Sequence, residues 1–292
     1  MIASSLLLSR AAATVAAAGL IVSLAGCTPG TTNPASSAPA KSAFGLPSAH
    51  VHGMAVNDQT GQILLATHEG LFDISRTPGT KIGPAIDLMG FTTGHDDGIY
   101  YASGHPGPDS PLPNPLGLIK SGDGGKTWEQ LSRQRESDFH TLTTTKRGIV
   151  AFDGTLMTSP DGKNWTTVAA GFTPAVLAGN AHNDTVLATT PQGLQRSTDA
   201  GSTWTLNKSA PVVQYAAFAS TNDVIGVQPD GSVQVSADSG ATWSRKGHIS
   251  GSVQAIAAVK KEDGALRIWA ATDAGVETSA DGGATFAPYQ PG

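Results

Sequence analysis

The sequence predicts an all-β fold, a six-bladed propeller in which each blade is a sheet of four short strands. Three observations lead to this prediction: a segment that recurs five times, a spacing near 40 residues between the copies, and the composition. Of the 292 residues, 35 are glycine and only 14% are charged, which is typical of a β protein with many tight turns. A period near 40 residues that holds four short strands is the signature of one propeller blade.

The recurring segment has the form Ser-X-Asp-X-Gly-X-Thr followed by an aromatic residue. This pattern predicts a turn, because the aspartate accepts backbone N–H bonds and glycine takes a positive φ. The aromatic residue is expected to pack between neighbouring sheets. The aromatic residues stand at positions 128, 165, 204, 243 and 286, and are thus 37, 39, 39 and 43 residues apart. The copies, of which the second is one residue short, span residues 121–128, 159–165, 197–204, 236–243 and 279–286.

These segments resemble the Asp box, the repeat of sialidase-like and sortilin-like propellers. The resemblance implies five Asp boxes, each at the turn between the third and fourth strands of a blade. Six blades account for the globular domain, which we place at residues 48–292. How the ring closes stays open, because blades one and six each show four strands, and residues 43–46 are a candidate for an added edge strand. The predicted strands are residues 50–56, 62–67, 71–75 and 81–87 in blade one, and residues 253–259, 267–272, 275–279 and 284–289 in blade six.

The first 26 residues are predicted to be a lipoprotein signal peptide. Arg10 precedes an apolar stretch over residues 11–22, which is shorter than the roughly 20 residues of a membrane-spanning helix. The sequence Leu24-Ala25-Gly26-Cys27 resembles the bacterial lipobox, in which the cysteine is acylated after cleavage. Residues 27–47, rich in Thr, Ser, Ala and Pro, are then a tether that holds the domain outside the cytoplasm on the cell membrane. Because Cys27 is the only cysteine, a disulfide and a thiolate metal site are excluded.

Histidines gather on one predicted face of the propeller, where the second strand of a blade connects to the third and one blade connects to the next. Histidine imidazoles at the mouth of the central channel are suitable ligands for a divalent metal, zinc or copper. The candidate ligands are His52, His68, His105 and His140. Met54 or Met89 nearby would favour copper, and Glu69 or Asp138 would complete the site. His50 and His248 share this face, whereas His95 and His182 lie in turns on the opposite one.

The same loops resemble a bacterial group of secreted Asp-box propellers that is labelled glycosyl hydrolase by analogy. The resemblance covers the globular domain and is carried by residues 50–56, 66–72, 89–92, 102–107 and 138–140. Sialidase chemistry needs three arginines around a substrate carboxylate, and only Arg133 and Arg135 approach the channel face. Another glycosidase needs two carboxylates about 5 Å or 6.5–9.5 Å apart. The candidates are Glu69, Asp109, Asp138 and Asp153.

Two classes of function therefore remain. The main interpretation is a membrane-anchored module that binds an unknown protein or glycan ligand, with a metal on the channel face. The alternative is a glycoside hydrolase that uses paired carboxylates. The formal net charge is −5 and no basic run alternates with aromatic residues, so nucleic acid is not an expected partner.

Overall fold

The computed structural model describes residues 49–57, 59–108 and 110–291. Twenty-four strands form six antiparallel sheets of four, and within each sheet the strands are hydrogen-bonded in chain order. This confirms the predicted propeller with four-stranded blades. Among the described residues, none forms a helix long and apolar enough to cross a membrane. The predicted signal peptide, the Cys27 attachment site and the tether lie outside the described residues.

Each blade is a meander whose first strand lines the central channel. Blades one to three contain β1 (Val51–Asn57), β2 (Gln62–Thr67), β3 (Gly70–Asp73), β4 (Thr80–Ile82), β5 (Ile86–Thr93), β6 (Tyr100–Pro106), β7 (Leu118–Ser121), β8 (Glu129–Ser132), β9 (Thr141–Thr145), β10 (Gly148–Phe152), β11 (Leu156–Ser159) and β12 (Thr166–Thr167). Blades four to six contain β13 (Val176–Ala178), β14 (Val186–Thr190), β15 (Gly193–Ser197), β16 (Thr205–Asn207), β17 (Tyr215–Phe218), β18 (Val224–Val227), β19 (Ser232–Ser236), β20 (Ser244–His248), β21 (Val253–Lys260), β22 (Leu266–Thr272), β23 (Gly275–Ser279) and β24 (Ala287–Pro288).

One predicted strand of blade one was wrong. Residues 81–87 were expected to form its fourth strand, but β4 ends at Ile82, and Ile86 already belongs to β5 of blade two. Gly83 takes a φ of 65° and Pro84 follows it, so the chain turns here and leaves the sheet. Asp87 therefore lies on the channel strand of blade two and not on the outer edge of blade one.

The ring closes through side-chain packing between the first and last blades. Val51 of β1 and Ala255 of β21 belong to one buried cluster, together with Trp269 and Val276 of blade six. The backbone N–H of Val51 also donates to Oε1 of Gln254 at 3.0 Å. Blades one and six each keep their own four strands, and the candidate closing strand at residues 43–46 lies outside the described part of the chain.

The five repeat segments all connect the third strand of a blade to its fourth. In each of them the serine hydroxyl contacts the aspartate two residues later. In the four full-length copies, aspartate Oδ1 accepts the backbone N–H of the threonine four residues later, for example Thr203 to Asp199 at 2.9 Å. Hydrogen bonds within the turn, above all those from the threonine hydroxyls, lower the pKa of Asp123, Asp238 and Asp281 to about 2, so these turns contain ionised carboxylates.

The aromatic residue at the end of each repeat is half-buried and lies beside the neighbouring blade. Trp204 of blade four donates its indole N–H to the carbonyl of Gly201 at 2.8 Å. Its ring packs against a cluster that contains Val150 of blade three and Val186 of blade four. The repeats therefore join adjacent blades.

Candidate functional site

A cavity of about 400 Å³ occupies the centre of the ring. Residues of the first strand of every blade line it, which makes it the central channel. The lining residues include apolar ones such as Phe91 and Ile256. Histidines lie at one end, because His50 and His52 stand at the start of β1 and His140 immediately precedes β9.

Three histidines of blade one converge at this mouth. Nε2 of His52 lies 3.1 Å from Nε2 of His68, and the ring centroids of His50 and His52 are 4.8 Å apart. One ligand atom from each ring can be chosen so that all three lie within 4.8 Å of one another. Two nitrogens bound tetrahedrally to one ion at 2.0–2.1 Å would be about 3.3–3.4 Å apart. The His52–His68 pair is thus close to the spacing of two ligands that share one ion.

Asp87 orients the ring of His68. Its Oδ1 lies 2.8 Å from Nδ1 of His68, and a carboxylate can only accept the hydrogen bond, so Nδ1 carries the proton. The lone pair of the neutral ring is therefore on Nε2, which faces His52. A carboxylate behind the far nitrogen of an imidazole is the usual arrangement around histidine metal ligands.

His52 is kept in its neutral form. Burial, together with the positive charges that His68 and His50 can carry, lowers its pKa to about 4 against an opposing effect of Asp87. The folded protein thus disfavours protonation of this ring between about pH 4 and the ordinary value of 6.5. A neutral imidazole is the form that binds a metal.

β-Bulges occur at the channel residues of three neighbouring blades. The pairing of β1 with β2 skips His52, that of β5 with β6 skips Met89, and that of β21 with β22 skips Gln254. All three residues line the channel cavity. Bulges change the direction of a side chain and are common next to functional sites. The bulges therefore alter the direction of side chains of blades six, one and two at this mouth.

A second polar group lies on blades two and three. Oδ2 of Asp138 is 3.2 Å from Nε2 of His105 and 3.3 Å from Nε2 of His140. Nδ1 of His105 is 2.7 Å from the side-chain oxygen of Asn114, which lies in the long loop after β6. The other carboxylate oxygen of Asp138 is buried and has no hydrogen-bond partner among the described residues. Asp138 thus bridges the two histidines.

The four predicted histidine ligands therefore divide into two groups. His52 and His68 are in contact with each other, whereas His105 and His140 share Asp138. A single set of four ligands stays a prediction. His248 instead contacts the carbonyl of Asp230 in its own blade at 2.7 Å.

The candidate catalytic carboxylates that the structure describes have different surroundings. Glu69 is exposed on the turn between β2 and β3, and Asp153 lies 4.0 Å from the guanidinium of Arg133. Asp138 is held by the two histidines, and Asp109 lies outside the described residues. On the opposite face, the rings of His95 and His182 lie 4.8 Å apart, which places these two residues together.

Sequence reasoning left two residues out of the site. His50 was placed on the correct face but not among the ligands, although the spacing His50-X-His52 directs both side chains to the same side of a strand. Asp87 was missed because the sequence assigned it to the wrong strand. In the structure, half-buried Asp87 and Met89 alternate with buried Ile86 and Leu88 on β5. The same alternation of residue types in the sequence is the signal that could have identified residues 86–89 as part of a channel strand.

These features define a six-bladed propeller with a histidine cluster at one mouth of its channel. No protein-family model matches the chain, and no curated protein sequence does. Its fold is similar to solved structures across more than four fifths of its length.

Two of these structures are enzymes of the GH74 group. The GH74 enzyme of Niastella koreensis has a TM-score of 0.57 at 16% identity, with 82% of this chain and 37% of that one covered. The GH74 xyloglucanase of Xanthomonas campestris has a TM-score of 0.56 at 15% identity, with 83% and 45% covered. The chain thus spans less than half the length of either enzyme.

Other similar structures have about the same length as this chain. Virginiamycin B lyase of Staphylococcus aureus has a TM-score of 0.55 at 14% identity, with 85% of this chain and 87% of that one covered. YCF48 bound to D1 peptide has a TM-score of 0.50 at 15% identity, with 82% of both chains covered. At these identities the likeness concerns the fold alone.

Proposed function

We propose that this protein is a metal-binding module, anchored outside the cytoplasm through a lipid on Cys27. In this proposal His50, His52 and His68 hold one metal ion, zinc or copper, at the channel mouth. The observation that carries it is the 3.1 Å separation of the facing Nε2 atoms of His52 and His68, with Asp87 behind the second ring. At this distance the two nitrogens either share a hydrogen bond, with the proton on Nε2 of His52, or present two lone pairs that a cation between them can bind.

The elements that carry the ligands support metal binding. His52 stands in a strand and His68 in the tight turn between β2 and β3, where Thr67 bonds the carbonyl of Gly70 and the N–H of Glu69. Little backbone ordering is then required when the ion binds. The low pKa of His52 removes competition by protons at that one ring between pH 6.5 and about pH 4. Three protein ligands leave one position of a tetrahedral ion for an external ligand.

The expected partner is a protein or glycan group that reaches this open position from the channel face. A lipid on Cys27 would keep the face close to a membrane partner through the tether of residues 27–47. YCF48 bound to D1 peptide is a propeller of similar fold that binds a peptide, which supports a protein partner. Nucleic acid is not expected, given the net charge of −5.

A zinc titration of the metal-free full chain in detergent tests this function. We expect one Zn²⁺ per chain from elemental analysis after dialysis, and the same stoichiometry for the control His248→Ala. Asp87→Asn should weaken zinc binding about 10–100-fold, the usual effect of losing a carboxylate that orients a histidine ligand. A wild-type chain that retains no zinc, or an Asp87→Asn variant with wild-type affinity, would contradict the proposal.

Glycoside hydrolysis is the second candidate, and Asp138 is the observation that favours it. This carboxylate lies on the channel face between His105 and His140 and has a buried oxygen without a hydrogen-bond partner among the described residues. The GH74 enzymes share the fold. In this case the purified protein is expected to release reducing sugar from a β-glucan such as xyloglucan, and Asp138→Asn to abolish the release. An inactive wild-type protein would argue against this candidate.

A further inference from the structure

Met89 has an unusual place in the channel wall. The chain contains four methionines, and two of them, Met54 and Met89, line the cavity that His50, His52 and His140 also line. Met89 is the residue skipped in the pairing of β5 with β6, as His52 is in the pairing of β1 with β2. The two bulges occur on the channel strands of adjacent blades. They therefore direct the imidazole of His52 and the thioether of Met89 toward the same mouth.

The surroundings of Met89 connect it to the histidines on both sides. Asp87, two residues earlier on β5, holds His68. On the other flank, His140 of blade three lines the same cavity and is close enough for its charge to act on His52. Met89 of blade two thus stands between the histidines of blades one and three.

We infer that the preferred ion of this site is cuprous copper and that the thioether of Met89 is one of its ligands. The inference rests on the proposed function and specifies its metal. Thioether sulfur is a soft ligand that selects Cu(I), whereas zinc sites in proteins are built from thiolate, imidazole and carboxylate. Cys27, the only cysteine of the chain, lies outside the described residues, and among the described residues that line the channel only methionines carry sulfur.

Met54 does not have the same position. It lies two residues beyond His52 on β1, one step further into the channel, and packs against the apolar cluster shared by blades one and six. Its pairing with Leu65 of β2 is regular. The geometry therefore selects Met89 as the ligand.

Three methionine-to-leucine variants of the full chain test the inference, since this change removes the sulfur and approximately conserves the volume of the side chain. Cu(I), kept reduced with ascorbate, is titrated against a chromophoric cuprous chelator, and Zn²⁺ is titrated in parallel. Met89→Leu is expected to lower the Cu(I) affinity by about tenfold or more, by analogy with the loss of a supporting contact at a metal site, and to leave the zinc affinity unchanged. Met54→Leu and the buried control Met157→Leu should bind both ions as the wild type does.

X-ray absorption of the cuprous wild-type protein provides a second measurement, with a copper–sulfur distance expected and absent from Met89→Leu. Wild-type Cu(I) affinity in Met89→Leu overturns the inference, and so does an equal loss of zinc and cuprous affinity, which would indicate a change in the fold. A loss in Met54→Leu alone overturns the choice of Met89. If the wild type binds zinc but its copper has no sulfur neighbour, the inference fails and the proposed function stands. If it binds neither ion, both fail.

Discussion

Replacing His52 with alanine is expected to reduce zinc affinity by more than about 100-fold. His52 contributes the nitrogen that faces Nε2 of His68 at 3.1 Å, and without it only two imidazoles of the cluster remain. Loss of a carboxylate behind a ligand costs about 10–100-fold, so loss of the ligand itself should exceed this range. The measurement is a competition titration with a zinc-binding dye at pH 7, where the ring of His52 is neutral because its pKa is lowered to about 4.

The matched control is His248→Ala, because it removes an exposed histidine outside the cluster whose ring bonds a backbone carbonyl of its own blade. The control should bind zinc like the wild type. If His52→Ala did so as well, the ion would bind elsewhere, and the cluster of blade one would be a packing arrangement of three histidines. An equal loss in both variants would point to non-specific binding by surface imidazoles.

Replacing Gly90 with alanine is expected to lower the free energy of unfolding by about 3 kcal/mol, the upper end of the usual cost of overpacking. A Cβ atom at this position would lie 2.2 Å from the carbonyl oxygen of Phe139 and 2.4 Å from a methyl group of Leu142. Both belong to blade three, so the channel strand of blade two would have to move away from it. Since Gly90 follows the bulge at Met89, that displacement should also disturb the channel mouth.

Gly171→Ala is the control, because Gly171 is exposed and nothing lies within 4 Å of its would-be Cβ atom. Urea unfolding followed by tryptophan fluorescence gives both free energies. We expect the control to remain within about 0.5 kcal/mol of the wild type. If Gly90→Ala were equally stable, blades two and three would not approach each other as closely as the structure shows.

The blades and their turns can be predicted from the sequence, because the residues that determine them are close together in the chain. The repeat segments bond to themselves: the hydroxyl of Ser197 and the N–H of Thr203 both contact Asp199. A turn of this kind forms from eight consecutive residues and is visible as a pattern. Blades that each consist of four consecutive strands follow from the spacing of such turns, and so does the face on which His52, His68 and His140 lie.

The sequence by itself thus determined a β-propeller, its number of blades and the side of the ring that gathers the histidines. Tertiary structure decided the rest, because it depends on contacts between segments distant in the chain. The bulges at His52 and Met89 arise from pairing with β2 and β6, and a shift of one residue in register reverses which face a side chain occupies. The contact of Asp87 with His68 joins two blades, and the ring closes where β1 meets β21, about 200 residues later in the chain. No local pattern encodes these distances, so only the folded protein brings together the residues of the candidate metal site.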